Sequence, residues 1–123
     1  MGQYWILVNL SKGEYVELNT ATKLVELASN REALRIMVGL LAGDSNGAGA
    51  GDYVYHPYVG HWAGDSVMFA GDYGEPGQHI ERVASALGRT VTRSQLGMSL
   101  YEYMHEYGTD ITESAKEMAE AYE

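Results

Sequence analysis

The run QYWILVNL, residues 3–10, restricts the fold more than any other stretch of this chain. Tyr4, Ile6, Val8 and Leu10 alternate to one side, and Trp5 and Leu7 to the other. Alternation with apolar residues on both sides predicts a strand covered on both faces. The SKG that follows at 11–13 puts glycine where a short connection needs a left-handed residue. EYVEL at 14–18 then alternates again, with Val16 and Leu18 apolar. We read a β-hairpin here. Its first strand needs cover that the rest of the chain must supply.

Residues 20–41 carry a helical pattern with a break, giving a short helix near 20–28 and a longer one from about 30 to 41. Ser29 with Glu32 fits a capping box, and Leu34, Met37, Val38 and Leu41 repeat at i, i+3, i+4, i+7. AGDSNGAGAGD at 42–52 is a flexible glycine-rich loop. YVYHPYVGHW at 53–62 is β-prone, but Pro57 and Gly60 limit it to a short or edge strand. SVMFA at 66–70 is a strand. Pro76 suits the first turn of a helix, whose stripe is Ile80, Val83, Ala84 and Leu87, and Gly88 ends it. Residues 89–97 form a linker with room for a short extended piece. A helix near 98–107 uses Leu100, Tyr101 and Met104 and stops at Gly108. The last begins near Thr112 with Ala115, Met118, Ala119 and Tyr122 as its apolar stripe. Strands in two blocks followed by helices give an α+β class: a small, mainly antiparallel sheet of three to five strands, three to five helices on one side of it, and a helical C-terminal half. We take residues 1–123 as one compact domain.

Charge is unevenly placed. The net charge is −9, and residues 101–123 hold seven carboxylates against Lys116 alone. A nucleic-acid binder needs a basic patch instead, so direct DNA or RNA binding is not expected. The absence of cysteine excludes disulfides, thiolate metal sites and a cysteine nucleophile. No run is apolar enough to span a bilayer, and no signal region is evident. The expectation is a cytoplasmic protein without a membrane association.

Two Ala-Gly-Asp triplets, 63–65 and 70–72, bracket the strand at 66–70, and the triplet also occurs at 42–44 and 50–52. One reading is turn punctuation, with glycine supplying positive φ and aspartate bonding nearby backbone. The other is a metal or acid/base site drawn from Asp52, His56, His61, Asp65, Asp72, Glu75 and His79. Such ligands suit Mn²⁺, Fe²⁺ or Zn²⁺. The spacing of His56 and His61 matches neither HExxH nor an EF-hand loop. A five-residue strand spans about 17 Å, so Asp65 and Asp72 at its ends do not share one ion. NGAGAGD lacks the Lys-Ser/Thr of a P-loop, and Ser66 lies in GDS rather than in GxSxG. No catalytic constellation and no cofactor motif emerges.

What remains is surface. Tyr4, Trp5, Tyr53, Tyr55, Tyr58, Trp62 and Tyr73 supply rings of the kind that anchor interfaces; they also suit simple coverage of a sheet. Glu113, Glu117 and Glu120 lie off the apolar stripe of the last helix, as a solvated face or as a dock for a basic partner.

The pattern MGQYW-x-x-VNL-x-K-x-EY at the start, with WAGD-x-V-x-x-x-GDYGE in the middle, resembles a family of small uncharacterised phage and microbial proteins. The matching residues lie between Gly2 and Tyr15 and between Trp62 and Glu75. The resemblance implies a compact domain whose two β segments are neighbours, and carries no catalytic residues. We expect a non-enzymatic, phage-encoded or phage-derived interaction protein acting in the host cytoplasm. Its surface would be Tyr53, Tyr55, Tyr58, Trp62, Tyr73, Glu113, Glu117 and Glu120, its partner a protein with a basic face, and a homodimer is allowed. The alternative is a small-molecule, nucleotide or metal-binding domain using residues 52–79.

Overall fold

The two-faced strand at the N-terminus becomes an inner strand of a sheet. In the computed structural model, residues 3–43 and 56–121 are described, apart from the side chains of 19–21. The elements among them are β1 (Gln3–Asn9), β2 (Glu14–Thr22), α1 (Arg31–Leu41), β3 (Val67–Gly71), α2 (Ile80–Ala86), α3 (Leu100–Tyr107), β4 (Thr109–Asp110) and α4 (Thr112–Glu120). Short 3-10 turns occupy Leu24–Ser29 and Ser94–Gly97. The class is α+β. The chain divides into two compact units, one of residues 1–24 and 65–111, the other of residues 25–64 and 112–123.

The first unit holds a four-stranded sheet in the order β3-β1-β2-β4. β1 is antiparallel to β2 and β3, and β4 is parallel to β2, so the sheet is mixed. Ile6, Leu7, Val8 and Asn9 of β1 are all buried, as the alternation requires. The Ile6 and Val8 face packs with Ala70 of β3, Ile80, Val83 and Ala84 of α2, and Leu100, Tyr103 and Met104 of α3. Each fully buried aliphatic side chain contributes about 1.5–3 kcal/mol through the area it removes from water. The hairpin loop turns where the sequence places it: Gly13 has φ +71°, and its N–H donates to the Asn9 carbonyl at 2.9 Å.

Several boundaries shift. The strand expected at 14–18 continues to Thr22, and Leu24–Ser29 forms a 3-10 turn in place of a helix over 20–28. Strand pairing with β1, through a register shift between Tyr4 and Ile6, prevails over the local helical pattern. Pro76 does not open a helix; 76–79 are turns, and α2 begins at Ile80. Residues 89–97 hold a 3-10 turn and no strand. α3 and its capping box, Ser99 with Glu102, were not marked by their cap in the sequence, although the span near 98–107 was.

In the second unit, α1 packs against α4. Ala115, Met118 and Ala119 are buried, as expected for α4; Tyr122 lies outside the described residues. For α1 the span was right and the face was not. Leu34 is 41% exposed and Val38 59%, whereas Ala33, Ile36, Gly39 and Leu40 are buried. Small residues weigh little in a hydrophobic pattern, yet they let backbone approach. The Gly39 and Leu40 carbonyls accept from the N–H groups of Gly60 and Trp62 at 2.8 and 2.9 Å, which satisfies carbonyls that a helix end otherwise leaves unpaired. The cap is Asn30 rather than Ser29; its Oδ1 accepts from Ala33 N at 2.9 Å. The segment 56–64 is a series of turns, not a strand, because Val59, His61 and Ala63 donate to carbonyls three residues back. An edge strand near 53–58 is thus absent over 56–58; residues 53–55 lie outside the described residues.

Candidate functional site

β3 is the element around which the conspicuous residues gather. Each of its ends carries one aspartate, and the two are held differently. At the N-terminal end, Asp65 Oδ2 accepts from Lys12 Nζ at 2.5 Å and from Asn9 Nδ2 at 2.8 Å. Asn9 is fully buried, and its Oδ1 accepts from Lys12 N at 2.8 Å. Ser66 N donates to Ser11 Oγ at 3.1 Å, and Arg82 Nη2 donates to Ser66 Oγ at 2.8 Å. At the C-terminal end, Asp72 Oδ1 accepts from Tyr4 N at 3.1 Å, and Asp72 N donates to the Tyr4 carbonyl at 3.0 Å. Next to it, Gln3 Oε1 accepts from Tyr73 N at 3.1 Å. A Cβ on Gly71 would lie 2.8 Å from Gln3 Cδ and 3.0 Å from Trp5 Cζ3, so the bare backbone there gives both side chains their place. Asp72 thus holds the backbone of β1, whereas Asp65 holds two side chains, Lys12 and Asn9; both partners are distant in sequence rather than the nearby backbone that turn punctuation implies.

β3 ends the sheet, and among the described residues no strand pairs with its far side. The flanking bonds, Leu10 N to Ser66 O and Asp72 N to Tyr4 O, fix the phase of the ladder. Alternation then turns the backbone groups of residues 66, 68, 70 and 72 toward β1 and those of Val67, Phe69 and Gly71 outward. The Gly71 carbonyl is taken by Gly74 N at 3.0 Å. Beside this edge lies a cleft of about 200 Å³, whose lining includes Trp5, Phe69, Tyr73, Glu75, His79 and Leu100. Tyr73 is 75% exposed. Glu75 Oε1 accepts from Gln78 Nε2 at 2.8 Å. His79 sits at φ +63°, the one non-glycine residue at positive φ among the described residues, and its side chain makes no capping bond. A left-handed conformation costs a non-glycine residue about 1–2 kcal/mol, and strain of that kind concentrates at binding sites.

The other sequence candidates are scattered. His56 Nε2 lies 3.2 Å from Glu117 Oε1, and His56 Nδ1 accepts from Tyr58 N at 3.1 Å. The His61 ring lies 4.6 Å from that of Tyr58, tilted by 52°. Trp62 is fully buried and so belongs to the interior, not to a surface of rings. Asp52, Tyr53 and Tyr55 lie outside the described residues. Among the described residues no three His, Asp or Glu side chains come together in a metal-holding group. Glu113, Glu117 and Glu120 are exposed along one side of α4. Among the described residues no helix is long and apolar enough to cross a membrane.

One cluster escaped the sequence. His105 of α3 lies between the rings of Tyr15 and Tyr101, at 5.1 and 4.4 Å. Its Nε2 is 2.5 Å from Glu17 Oε1 and its Nδ1 2.9 Å from the Tyr101 carbonyl. With both ring nitrogens facing protein oxygens, His105 ties α3 to β2. Burial first, then the nearby Asp110 and Glu17 carboxylates, raises the Tyr15 phenol above 10.0. Burial first, then Glu17 and Asp72, does the same for Tyr101. The available signals were the Tyr101 to His105 spacing of one helical turn and the alternation of Glu17 with Tyr15. Neither points across to the other element.

No family model, curated protein or solved structure matches this chain.

Proposed function

We propose that this chain is a protein-interaction module rather than an enzyme. The observation that carries the reading is the unpaired edge of β3 beside a cleft rimmed by Trp5, Phe69 and Tyr73. Aromatic rings next to free backbone donors and acceptors suit a protein surface better than a small polar substrate. The exposed stripe of Glu113, Glu117 and Glu120, together with the net charge of −9, favours a partner with a basic face and disfavours nucleic acid. Asp65 Oδ2 accepts from Lys12 and Asn9, and Ser66 bonds Ser11, Leu10 and Arg82, which supports a structural role for this cluster. With its two sequence motifs, the chain fits a phage-encoded or phage-derived protein acting on a host or assembly protein in the host cytoplasm.

The test is affinity capture from host lysate with the wild type, with Tyr73→Ala, and with Glu113, Glu117 and Glu120 all changed to Gln. A partner that is held by the wild type and lost from Tyr73→Ala supports the reading. Identical capture by all three overturns it. A rise in Tm with a nucleotide or divalent ion would move the assignment to the ligand-binding alternative.

A further inference from the structure

We infer that the outer edge of β3 takes an extended cationic peptide as an added strand, with one lysine or arginine side chain seated in the adjoining cleft. The inference rests on the reading of the chain as an interaction module and gives that module a site and a ligand class.

Three observations converge on it. The first is the backbone. Val67 and Phe69 turn their N–H and C=O groups away from β1, and none of these groups has a hydrogen-bond partner among the described residues. An added extended backbone matches such a row of alternating donors and acceptors. The second is the missing protection. Natural edge strands are blunted by lysine, proline or a bulge, whereas Val67-Met68-Phe69-Ala70-Gly71 has no charge and no proline, and pairs with β1 in unbroken register. The third is charge. Trp5, Phe69 and Tyr73 can cover the methylene stem of a long side chain, and Glu75 is the carboxylate in the lining. Gln78 occupies Oε1 of Glu75, which leaves Oε2 to meet an ammonium or guanidinium group. The strand Val67–Gly71 of a second copy carries no lysine or arginine to meet Glu75, so charge favours a basic strand over self-pairing.

The probes are a capped hexapeptide of alternating valine and lysine, its valine–glutamate counterpart, and the lysine peptide with alternate amides N-methylated. Binding is read by NMR titration of the whole chain and by hydrogen exchange at Val67 and Phe69. The lysine peptide should bind roughly 1.5-fold to fivefold tighter than the glutamate peptide, the range that an exposed ion pair supplies. It should protect the Val67 and Phe69 amides. Glu75→Lys, on an exposed loop, should reverse the preference between the two peptides. N-methylation on the edge-facing side should abolish binding at unchanged charge.

Equal binding of the N-methylated peptide overturns strand addition. An unchanged preference in Glu75→Lys overturns the cation site. Protection of Val67 and Phe69 that grows with protein concentration, without peptide, assigns the edge to a second copy and overturns the proposal. If neither peptide binds while partner capture still depends on Tyr73, the site proposed here falls and the interaction reading survives. If both fail, the two fall together.

Discussion

Asp65 and Asp72 close the same triplet, Ala-Gly-Asp, at opposite ends of one strand, and the fold uses them differently. Asp65 is charge-paired with Lys12 and satisfies Asn9, a fully buried amide. Asp72 accepts a backbone N–H from Tyr4 in a more open setting, where Gly71 gives room for Gln3 and Trp5. At one end the carboxylate supports the interior. At the other it shapes the wall of a cleft. A recurrent triplet thus states that the chain turns, and the residues opposite decide what the turn is worth.

The largest expected disturbance is at the Asp65 end. Gly13→Ala forces a side chain onto φ +71° and puts its Cβ 2.6 Å from Leu87 Cγ. Left-handed strain and overpacking together should cost about 2–4 kcal/mol, read as a lower midpoint in urea. The loop carrying Ser11 and Lys12 would shift with it, so the Ser66 amide should lose exchange protection. An unchanged midpoint would contradict the close packing of this turn.

The comparison itself is tested by paired substitutions. Asp65→Ala leaves the buried Asn9 amide without its acceptor and should cost about 1–3 kcal/mol. Asp72→Ala removes one backbone bond in a partly exposed place and should cost about 0.5–1.5 kcal/mol. Equal losses would mean that the two ends are energetically alike. Added salt should narrow the difference, because it screens the partly exposed Lys12–Asp65 pair and not the backbone bond.

A smaller effect comes from Asp72 acting on Tyr101. The Tyr101 phenol is raised above 10.0, by burial and then by Glu17 and Asp72. A folded-state pKa above the unfolded one means that the folded state keeps its proton longer, so stability is intact below about pH 10 and falls as pH rises through the folded value. Asp72→Asn should lower the Tyr101 midpoint, followed by phenolate absorbance, and Asp65→Asn should leave it in place. A shift with Asp65→Asn instead would reassign the charge that Tyr101 senses.

The smallest effect is expected at Tyr103. Its hydroxyl is buried with no partner among the described residues, in contrast to the satisfied Asn9 amide. Tyr103→Phe removes an unpaired polar atom and should leave stability unchanged or raise it by up to about 1 kcal/mol. A loss well beyond that would show that the hydroxyl makes a bond in solution.

Much of the architecture was legible because it rests on periodicity and local chemistry. The hairpin, the strand at 67–71, the position of α3 and the buried stripe of α4 follow from repeats of two and near 3.6 and from Gly13, whose left-handed turn any chain of this pattern needs. Failures came where tertiary partners overrode local signals. Two residues of β4 are too few to show a period, and they pair with β2 only because α3 returns the chain there. The buried face of α1 depends on Gly39, which no hydrophobic count registers. Trp62 read as a surface anchor because a large ring suits an interface and a core equally.

From its own order of residues, this chain determined where backbone extends, coils and turns, since those preferences act over a few neighbours. Only the folded arrangement decided which aspartate meets a lysine, which histidine lies between two tyrosines, and which strand ends the sheet. Those outcomes join residues such as Lys12 with Asp65 and Glu17 with His105, far apart along the chain. Their energies exist only once packing has excluded water and set the distances.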